Sequence, residues 1–277
     1  MIKLGIFAKT FPRATVKEIA AVVKYYGFET MHFNMACLGL EAMPLDITKE
    51  HITSIQTATS IHQMPLCGLS GTFNMCHPNP AIREDGLMRL AVLARHARAM
   101  GTSLITLCTG TRDPEDQWRA HPDNNSRSAW LDMCKSMERA LAIAETYEIQ
   151  LGIEPELGNI VNTIPKAKQL LQEMGSDRLK IVLDPANLFE TGTAAAVRHL
   201  IDTSLAQVGA HLAMAHAKDR DEAGHFVAAG KGVIPFHYFI KKLKETSFEG
   251  PLVVHGLIEE EVSDAVQLLQ QYIDSSF

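Results

Sequence analysis

Four apolar segments in the second half of the chain each end in a side chain that can bind a divalent metal ion. The first ends at Glu154 in LGIEPE, and the second ends at Asp184 in LKIVLDPANLF. The third and fourth end at His216 in LAMAHAKD and at His255 in PLVVHG. An acid at the end of a buried apolar run is costly unless it has a partner. Because the pattern recurs in four successive segments, it predicts one shared site rather than four separate turns or helix caps.

The positions within each segment predict that these side chains face the same way. Alternate residues of a strand point to opposite faces, so Glu154 and Glu156 share a face, and each of the other three shares a face with the residue two before it. Two carboxylates and two imidazoles suit a borderline divalent cation such as Mn²⁺, Co²⁺, Zn²⁺ or Fe²⁺ better than Ca²⁺. The alternative is a hydrogen-bonded polar cluster that holds no metal.

Apolar strand-like runs alternate with helical patterns along the whole chain, which predicts parallel strands joined by helical crossovers. The predicted strands cover residues 3–7, 29–33, 66–73, 104–108, 150–155, 179–183, 212–216 and 252–255. Eight such units close a barrel, whose functional residues lie at the C-terminal ends of the strands. We therefore predict an α/β fold, a (β/α)8 TIM barrel, as a single domain over residues 1–277. A doubly wound open sheet is the alternative, but the first strand lacks the glycine fingerprint that such a sheet normally carries.

Composition limits the classes of function. The 277 residues are 46% hydrophobic, which is enough for one large core, and the formal net charge is −6. A nucleic-acid partner normally requires a basic face, so we expect none. The five cysteines include no CxxC pair and suit a reducing cytoplasm. We expect no membrane span, and the sequence leaves open a homo-oligomer.

At the four strand ends the chain resembles the xylose-isomerase-like TIM-barrel family, which includes sugar isomerases and epimerases and also endonuclease IV. In that family a Glu, an Asp, a His and a Glu after strands five to eight bind one divalent metal. The matching residues here are Glu154, Asp184, His216 and, in place of the usual second Glu, His255. The resemblance therefore implies a site for one Mn²⁺, Co²⁺, Zn²⁺, Fe²⁺ or Mg²⁺ ion. Since the family's epimerases use that second Glu as an acid/base group, His255 is a departure that bears on mechanism.

Other residues near the strand ends are candidates for contacting the substrate. Asn187 matches a substrate-contacting position of the family, although a helix N-cap is the alternative. Lys218 and Asp219 follow His216 as in the family's HxKD pattern, and a surface salt bridge is the alternative. The loop after the fourth strand is the longest in the chain, and long loops often cover binding sites. The predicted substrate-binding residues are Asn187, Glu156, Asp219, Arg112, Trp118 and His121.

The resemblance implies a metal-dependent sugar or sugar-phosphate isomerase or epimerase that acts through an enediolate intermediate on a small carbohydrate. Such a reaction needs groups that remove and return a proton next to a carbonyl. Glu154 is the first candidate for the base, and His255 and Lys218 are the further catalytic candidates.

Three alternatives remain on the same scaffold. A keto-polyol dehydratase begins with the same proton abstraction. A DNA-repair nuclease like endonuclease IV needs extra His ligands after strands three and four, where this chain has LSGT and TLCT, so it is disfavoured. A catalytically inactive sugar- or metal-binding relative is the third, because His255 departs from the family pattern.

Overall fold

A computed structural model describes residues 2–246 and 248–275. The predicted single domain of residues 1–277 also includes residues 1, 247, 276 and 277, which lie outside the described residues. The described chain forms a closed barrel of parallel strands in the order β1-β10-β7-β6-β5-β4-β3-β2, which confirms the predicted fold. The barrel strands are β1 (Lys3–Phe7), β2 (Thr30–Phe33), β3 (Leu66–Ser70), β4 (Leu104–Leu107), β5 (Gln150–Ile153), β6 (Leu179–Leu183), β7 (Leu212–Ala217) and β10 (Pro251–Val254).

An α-helix follows each barrel strand and packs on the outside of the sheet. The helices are α1 (Val16–Tyr25), α2 (Lys49–His62), α3 (Pro80–Ala97), α4 (Arg127–Thr146), α5 (Ile164–Met174), α6 (Ala194–Val208), α7 (Phe236–Glu245) and α8 (Val262–Asp274). Side-chain caps set several of the helix starts. Thr15, for example, accepts a hydrogen bond from the backbone N–H of Glu18 and closes a capping box. No helix among the described residues is long and apolar enough to cross a membrane.

Two apolar layers hold the barrel together. The larger one lies between the sheet and the helices, and its fully buried members include Leu4, Ile55 and Phe239. The smaller one contains Leu104, Val182, Met214 and Val253. Because Val182, Met214 and Val253 lie two residues before Asp184, His216 and His255, strand alternation places this layer directly beneath the three polar side chains.

Two antiparallel strands interrupt the connection between β7 and α7, where the sequence analysis predicted no strand. They are β8 (Asp219–Arg220) and β9 (Phe226–Val227), paired through Asp219 with Val227 and Arg220 with Phe226. A two-residue strand has too little periodicity to be recognised in a sequence. This hairpin carries Phe226 to the C-terminal end of the barrel, where the cavity described below opens.

The long loop between β4 and α4 is held against the loop that follows β5. Asn159 is fully buried; its side chain accepts a hydrogen bond from the Gly110 N–H at 2.8 Å and donates one to the Gln117 carbonyl at 3.1 Å. A Cβ at Gly158 would lie only 2.0 Å from the carbonyl oxygen of Trp118, so this close approach requires glycine. The position of Trp118 is therefore fixed by the loop after β5.

Replacing Asn159 should destabilise the protein, because Asn159→Ala leaves the buried Gly110 N–H and the half-buried Gln117 carbonyl without this partner. We expect the free energy of unfolding to fall by about 1–3 kcal/mol. Urea denaturation followed by tryptophan fluorescence measures this change. Asn125→Ala, at an exposed position of the same loop, is the control and should change the free energy by no more than about 0.5 kcal/mol. Equal stability of Asn159→Ala and wild type would contradict the role given to Asn159.

Candidate metal and substrate site

Four side chains from adjacent strands converge at the C-terminal end of the barrel. Glu154 follows β5, Asp184 follows β6, His216 lies in β7 and His255 follows β10. One donor atom from each lies within 4.8 Å of the donor atoms of the other three. The structure thus brings together the four residues that the sequence predicted as one site.

Two hydrogen bonds and one longer ion-pair contact connect the four side chains. His216 Nδ1 lies 3.0 Å from Glu154 Oε1 and 3.8 Å from Asp184 Oδ2. His255 Nε2 lies 3.2 Å from the same Asp184 oxygen. The Asp184 side chain has no solvent exposure, while those of Glu154 and His255 are 15% and 22% exposed. Asp184 therefore forms the floor of the cluster, and Glu154 and His255 reach toward open space.

Asn187 and Lys218 extend this network. The Lys218 ammonium lies 3.4 Å from Asp184 Oδ2 and donates a hydrogen bond to Asn187 Oδ1. The Asn187 amide nitrogen donates to Glu154 Oε1 at 2.8 Å and to Glu156 Oε1 at 3.1 Å. Asn187 thus orients two carboxylates at once, and Lys218 supplies a positive charge beside a third.

The charges of the cluster are strongly interdependent. Burial by itself would lower the pKa of His216, but the Glu154 and Asp184 carboxylates outweigh burial and raise it to about 9. Burial opposes ionisation of Glu154 as well, yet its contact with His216 lowers the pKa of Glu154. At Glu156, burial and the neighbouring Glu154 outweigh the positive charges of Lys218 and His216 and raise its pKa to about 8. Burial and the positive His216 lower the pKa of His255.

The donor set fits a divalent cation. Two carboxylates and two imidazoles are ligands that Mn²⁺, Co²⁺, Zn²⁺ and Fe²⁺ accept. His216 Nδ1 faces both carboxylates, whereas its buried Nε2 has no hydrogen-bond partner among the described residues. The carboxylates alone therefore orient this ring, and a cation between them and Nδ1 would satisfy all three groups.

A cavity of about 330 Å³ opens above the four side chains, near the lower end of the ~300–1,000 Å³ range of small-molecule sites. Seven of the predicted site residues line it: Trp118, Glu154, Glu156, Asn187, His216, Lys218 and His255. Six further residues that the sequence did not single out as site residues also line it: Phe7, His32, Ser70, Thr72, Thr106 and Phe226.

His32 is the most polar of the residues that the sequence analysis missed. It lies in β2, is 5% exposed, and its Nε2 lies 3.0 Å from Thr106 Oγ1. Burial and the nearby His216 and His255 lower its pKa to about 3, so the ring is neutral. Its position near the end of a barrel strand, like that of the four clustered residues, was the available signal.

Three predicted substrate-binding residues lie away from this cavity. Asp219 is fully buried and accepts hydrogen bonds from the backbone N–H groups of Gly230, Gly232 and Ile234. Its carboxylate therefore holds the loop after β9 in place. Asp219 is the first residue of β8, which follows β7 in the chain. Its side chain points into the loop after β9 and not into the barrel mouth.

The other two are Arg112 and His121, which stabilise the long loop. The Arg112 guanidinium lies 2.7 Å from Asp132 Oδ2 and donates to the Cys76 carbonyl. His121 Nδ1 accepts the backbone N–H of Asp123 at 3.2 Å and caps a short 3-10 helix. Sequence spacing along a loop does not determine the direction of a side chain. Arg112 and His121 both contact groups near the loop and do not line the cavity.

Comparison with known proteins places this geometry among related folds. A sequence model described as xylose isomerase-like TIM barrel matches residues 19–272. No curated protein sequence matches the chain significantly.

Several solved structures have a similar fold. The 3-keto-D-glucoside 4-epimerase YcjR from E. coli superposes with a TM-score of 0.77 and 17% identity, over 98% of this chain and 100% of that chain. D-Psicose 3-epimerase with D-tagatose, from Clostridium cellulolyticum H10, gives 0.74 and 16%, over 98% of each chain. The IolI protein with a zinc atom gives 0.72 and 16%, over 98% of this chain and 96% of that one. At these identities the likeness is one of fold.

The network makes Lys218 important for stability when no metal ion is bound. Lys218→Met removes the ammonium beside Asp184, whose carboxylate is buried, and loss of one partner of a buried ion pair typically costs roughly 3–5 kcal/mol. We expect a loss of that size in chemical denaturation of EDTA-treated protein. Lys231→Met, at a lysine whose side chain is 57% exposed, should have little effect. A Lys218→Met protein as stable as wild type would show that Asp184 does not depend on this charge.

Proposed function

The chain belongs to the xylose isomerase-like TIM barrel family, and we propose that it is a divalent-metal-dependent isomerase or epimerase of a carbohydrate. The proposed reaction removes a proton next to a substrate carbonyl, passes through an enediolate, and returns the proton. One observation carries the proposal: two carboxylates and two imidazoles meet at the base of a sugar-sized cavity at the C-terminal end of the barrel. The names of the similar structures, two of them sugar epimerases, agree with it.

Glu154, Asp184, His216 and His255 would hold the ion, which is Mn²⁺, Co²⁺, Zn²⁺, Fe²⁺ or Mg²⁺. When bound, such an ion acts as a Lewis acid and stabilises negative charge on adjacent oxygens. Asp184 has no exposure and contacts no part of the cavity, so its role is to hold the ion rather than to touch the substrate. The zinc atom named with the IolI structure supports a metal centre in this fold.

Glu154 is the proposed base. Its carboxylate lines the cavity, and Asn187 Nδ2 and His216 Nδ1 both contact Oε1. With that oxygen fixed, Oε2 is the atom available to accept a substrate proton. A base must lie within about 2.6–3.2 Å of the group that it deprotonates, and this rigid arrangement provides such positioning.

Return of the proton requires a second group on the cavity wall. His255, where relatives carry Glu, and Lys218 both line the cavity and are the candidates. Asn187, Glu156 and Trp118 are proposed to contact the substrate, since all three face the cavity. Among the described residues that line this cavity, β3, β4 and the loop after β3 contribute Ser70, Thr72 and Thr106 and no His, which supports a sugar rather than a DNA substrate. The free cysteines suit the cytoplasmic location that we propose.

Metal content should depend on Asp184. Wild-type protein, purified and then dialysed against Mn²⁺, should carry about one ion per chain, because four donor groups lie close enough to share one ion, and the buried Asp184 carboxylate is the donor that the cavity leaves free to hold it. Asp184→Ala should reduce this content to near zero in elemental analysis. Asp264→Ala, at a side chain that is 72% exposed, is the matched control and should retain the ion. Equal metal content in wild type and Asp184→Ala would remove Asp184 from the ligand set.

Glu154→Gln should abolish exchange of the substrate's α-proton with D₂O, because an amide cannot accept that proton. Mass spectrometry or NMR of a ketose panel incubated with enzyme and Mn²⁺ detects the exchange, and product analysis separates epimerase from dehydratase. Glu138→Gln, on the exposed face of α4, should exchange like wild type. Full exchange by Glu154→Gln would identify another base. No exchange by the wild-type enzyme on any ketose or keto-glycoside would favour an inactive binding relative.

A further inference from the structure

A second cavity, of about 430 Å³, lies beside the first one at the C-terminal end of the barrel. Thr72 lines both cavities. The consecutive residues Gln117 and Trp118 divide between them, since Gln117 lines the second cavity and Trp118 lines the first. The two cavities therefore share a wall at Thr72 and at the tip of the long loop after β4.

The shared wall is built from fixed groups. The Gln117 carbonyl accepts a hydrogen bond from the buried Asn159, and the Trp118 backbone packs closely against Gly158. In the same loop, the Asp113 carboxylate, which also lines the second cavity, accepts the backbone N–H groups of Glu115 and Asp116 at 2.9 and 3.0 Å. A ligand that spans both cavities would meet a preorganised surface, which limits the entropy lost on binding.

The charges of the second cavity select against anions. Its acidic lining residues are Glu41, Asp85, Asp113, Glu115 and Asp116. Arg89 is the one lysine or arginine among the described lining residues, and it is already paired with Glu41 and Asp85. In the first cavity the corresponding cation is Lys218, which is held by Asp184 and Asn187. No free guanidinium or ammonium in the described lining of either cavity is therefore available for a phosphate.

Apolar surface accompanies these polar groups. Phe73 and Ile82 line the second cavity, and the side chain of Trp118, which is 43% exposed, stands at the boundary between the two. A sugar ring presents apolar C–H faces and a rim of hydroxyl groups. Aromatic surface and carboxylate acceptors complement these two parts of an uncharged sugar.

We propose that the second cavity binds a second, uncharged ring of the substrate, so that the substrate is a two-ring glycoside and not a free sugar or a sugar phosphate. This inference rests on the proposed function and specifies its substrate class. The anomeric carbon of a glycoside is an acetal and holds no carbonyl. With the glycosyl ring in the first cavity, the carbonyl that acidifies the transferred proton is a ketone on that ring.

The test compares two substrates that share the reacting ring, a 3-keto-disaccharide of two glucose units and methyl 3-keto-glucoside. Wild-type enzyme should exchange the α-proton of the disaccharide with a kcat/KM at least about tenfold higher, because binding energy from the remote ring assists the reaction. Ile82→Trp places a larger side chain on the wall of the second cavity and should bring this ratio to about one without changing the rate on the methyl glycoside. Met88→Trp, another exposed apolar position on α3 that lines neither cavity, should keep the wild-type ratio.

A ratio near one in wild type, or an Ile82→Trp ratio equal to that of wild type, would overturn the second subsite. Faster exchange on the 6-phosphate of the methyl glycoside than on the disaccharide would overturn the uncharged class. If neither keto sugar exchanges, the proposed function fails on these substrates, and calorimetry still decides the subsite. The second subsite is supported if the wild-type protein binds the disaccharide more tightly than the methyl glycoside and Ile82→Trp loses this difference. Equal binding of the two ligands by the wild-type protein overturns it.

Discussion

Two buried carboxylates, Glu154 and Asp184, set the constraint on which the rest of the site depends. An ionised carboxylate out of water is strongly disfavoured unless positive charge and hydrogen-bond donors surround it. Here the contacts come from His216, His255 and Lys218. Each contact involves a side chain that also faces the cavity, so the groups that stabilise the two acids are the groups that would hold an ion and meet a substrate.

The barrel explains why these groups meet. Side chains alternate along each strand, so a residue two positions after an inward apolar residue also points inward. Val182, Met214 and Val253 form the apolar layer in the interior, and the polar residue two positions later on each strand lies above it. This dry layer closes the site from below, while the long loop and the β8–β9 hairpin border it from above with Trp118 and Phe226.

Strand-end residues were predictable from the sequence because strand alternation and parallel topology act over short, regular segments. The convergence of Glu154 with His255, 101 positions later in the sequence, follows from those two rules. Loop residues were not predictable in this way. Asp219 and Arg112 have charges suited to a substrate. The Asp219 carboxylate is bound instead by nearby backbone N–H groups, and the Arg112 guanidinium is paired with Asp132. Phe226 reaches the cavity only through a two-residue strand that carries no readable pattern.

His255 is where this chain departs from the pattern that the family resemblance implies, and we propose that it still completes a metal site with the other three residues. A crystal structure of Zn²⁺-loaded protein, with anomalous data collected at the zinc edge, tests this claim most directly. We predict one strong peak at the base of the first cavity, about 2.0–2.2 Å from donor atoms of Glu154, Asp184, His216 and His255. A structure without a peak among these side chains, or with the ion held elsewhere in the barrel, would contradict it.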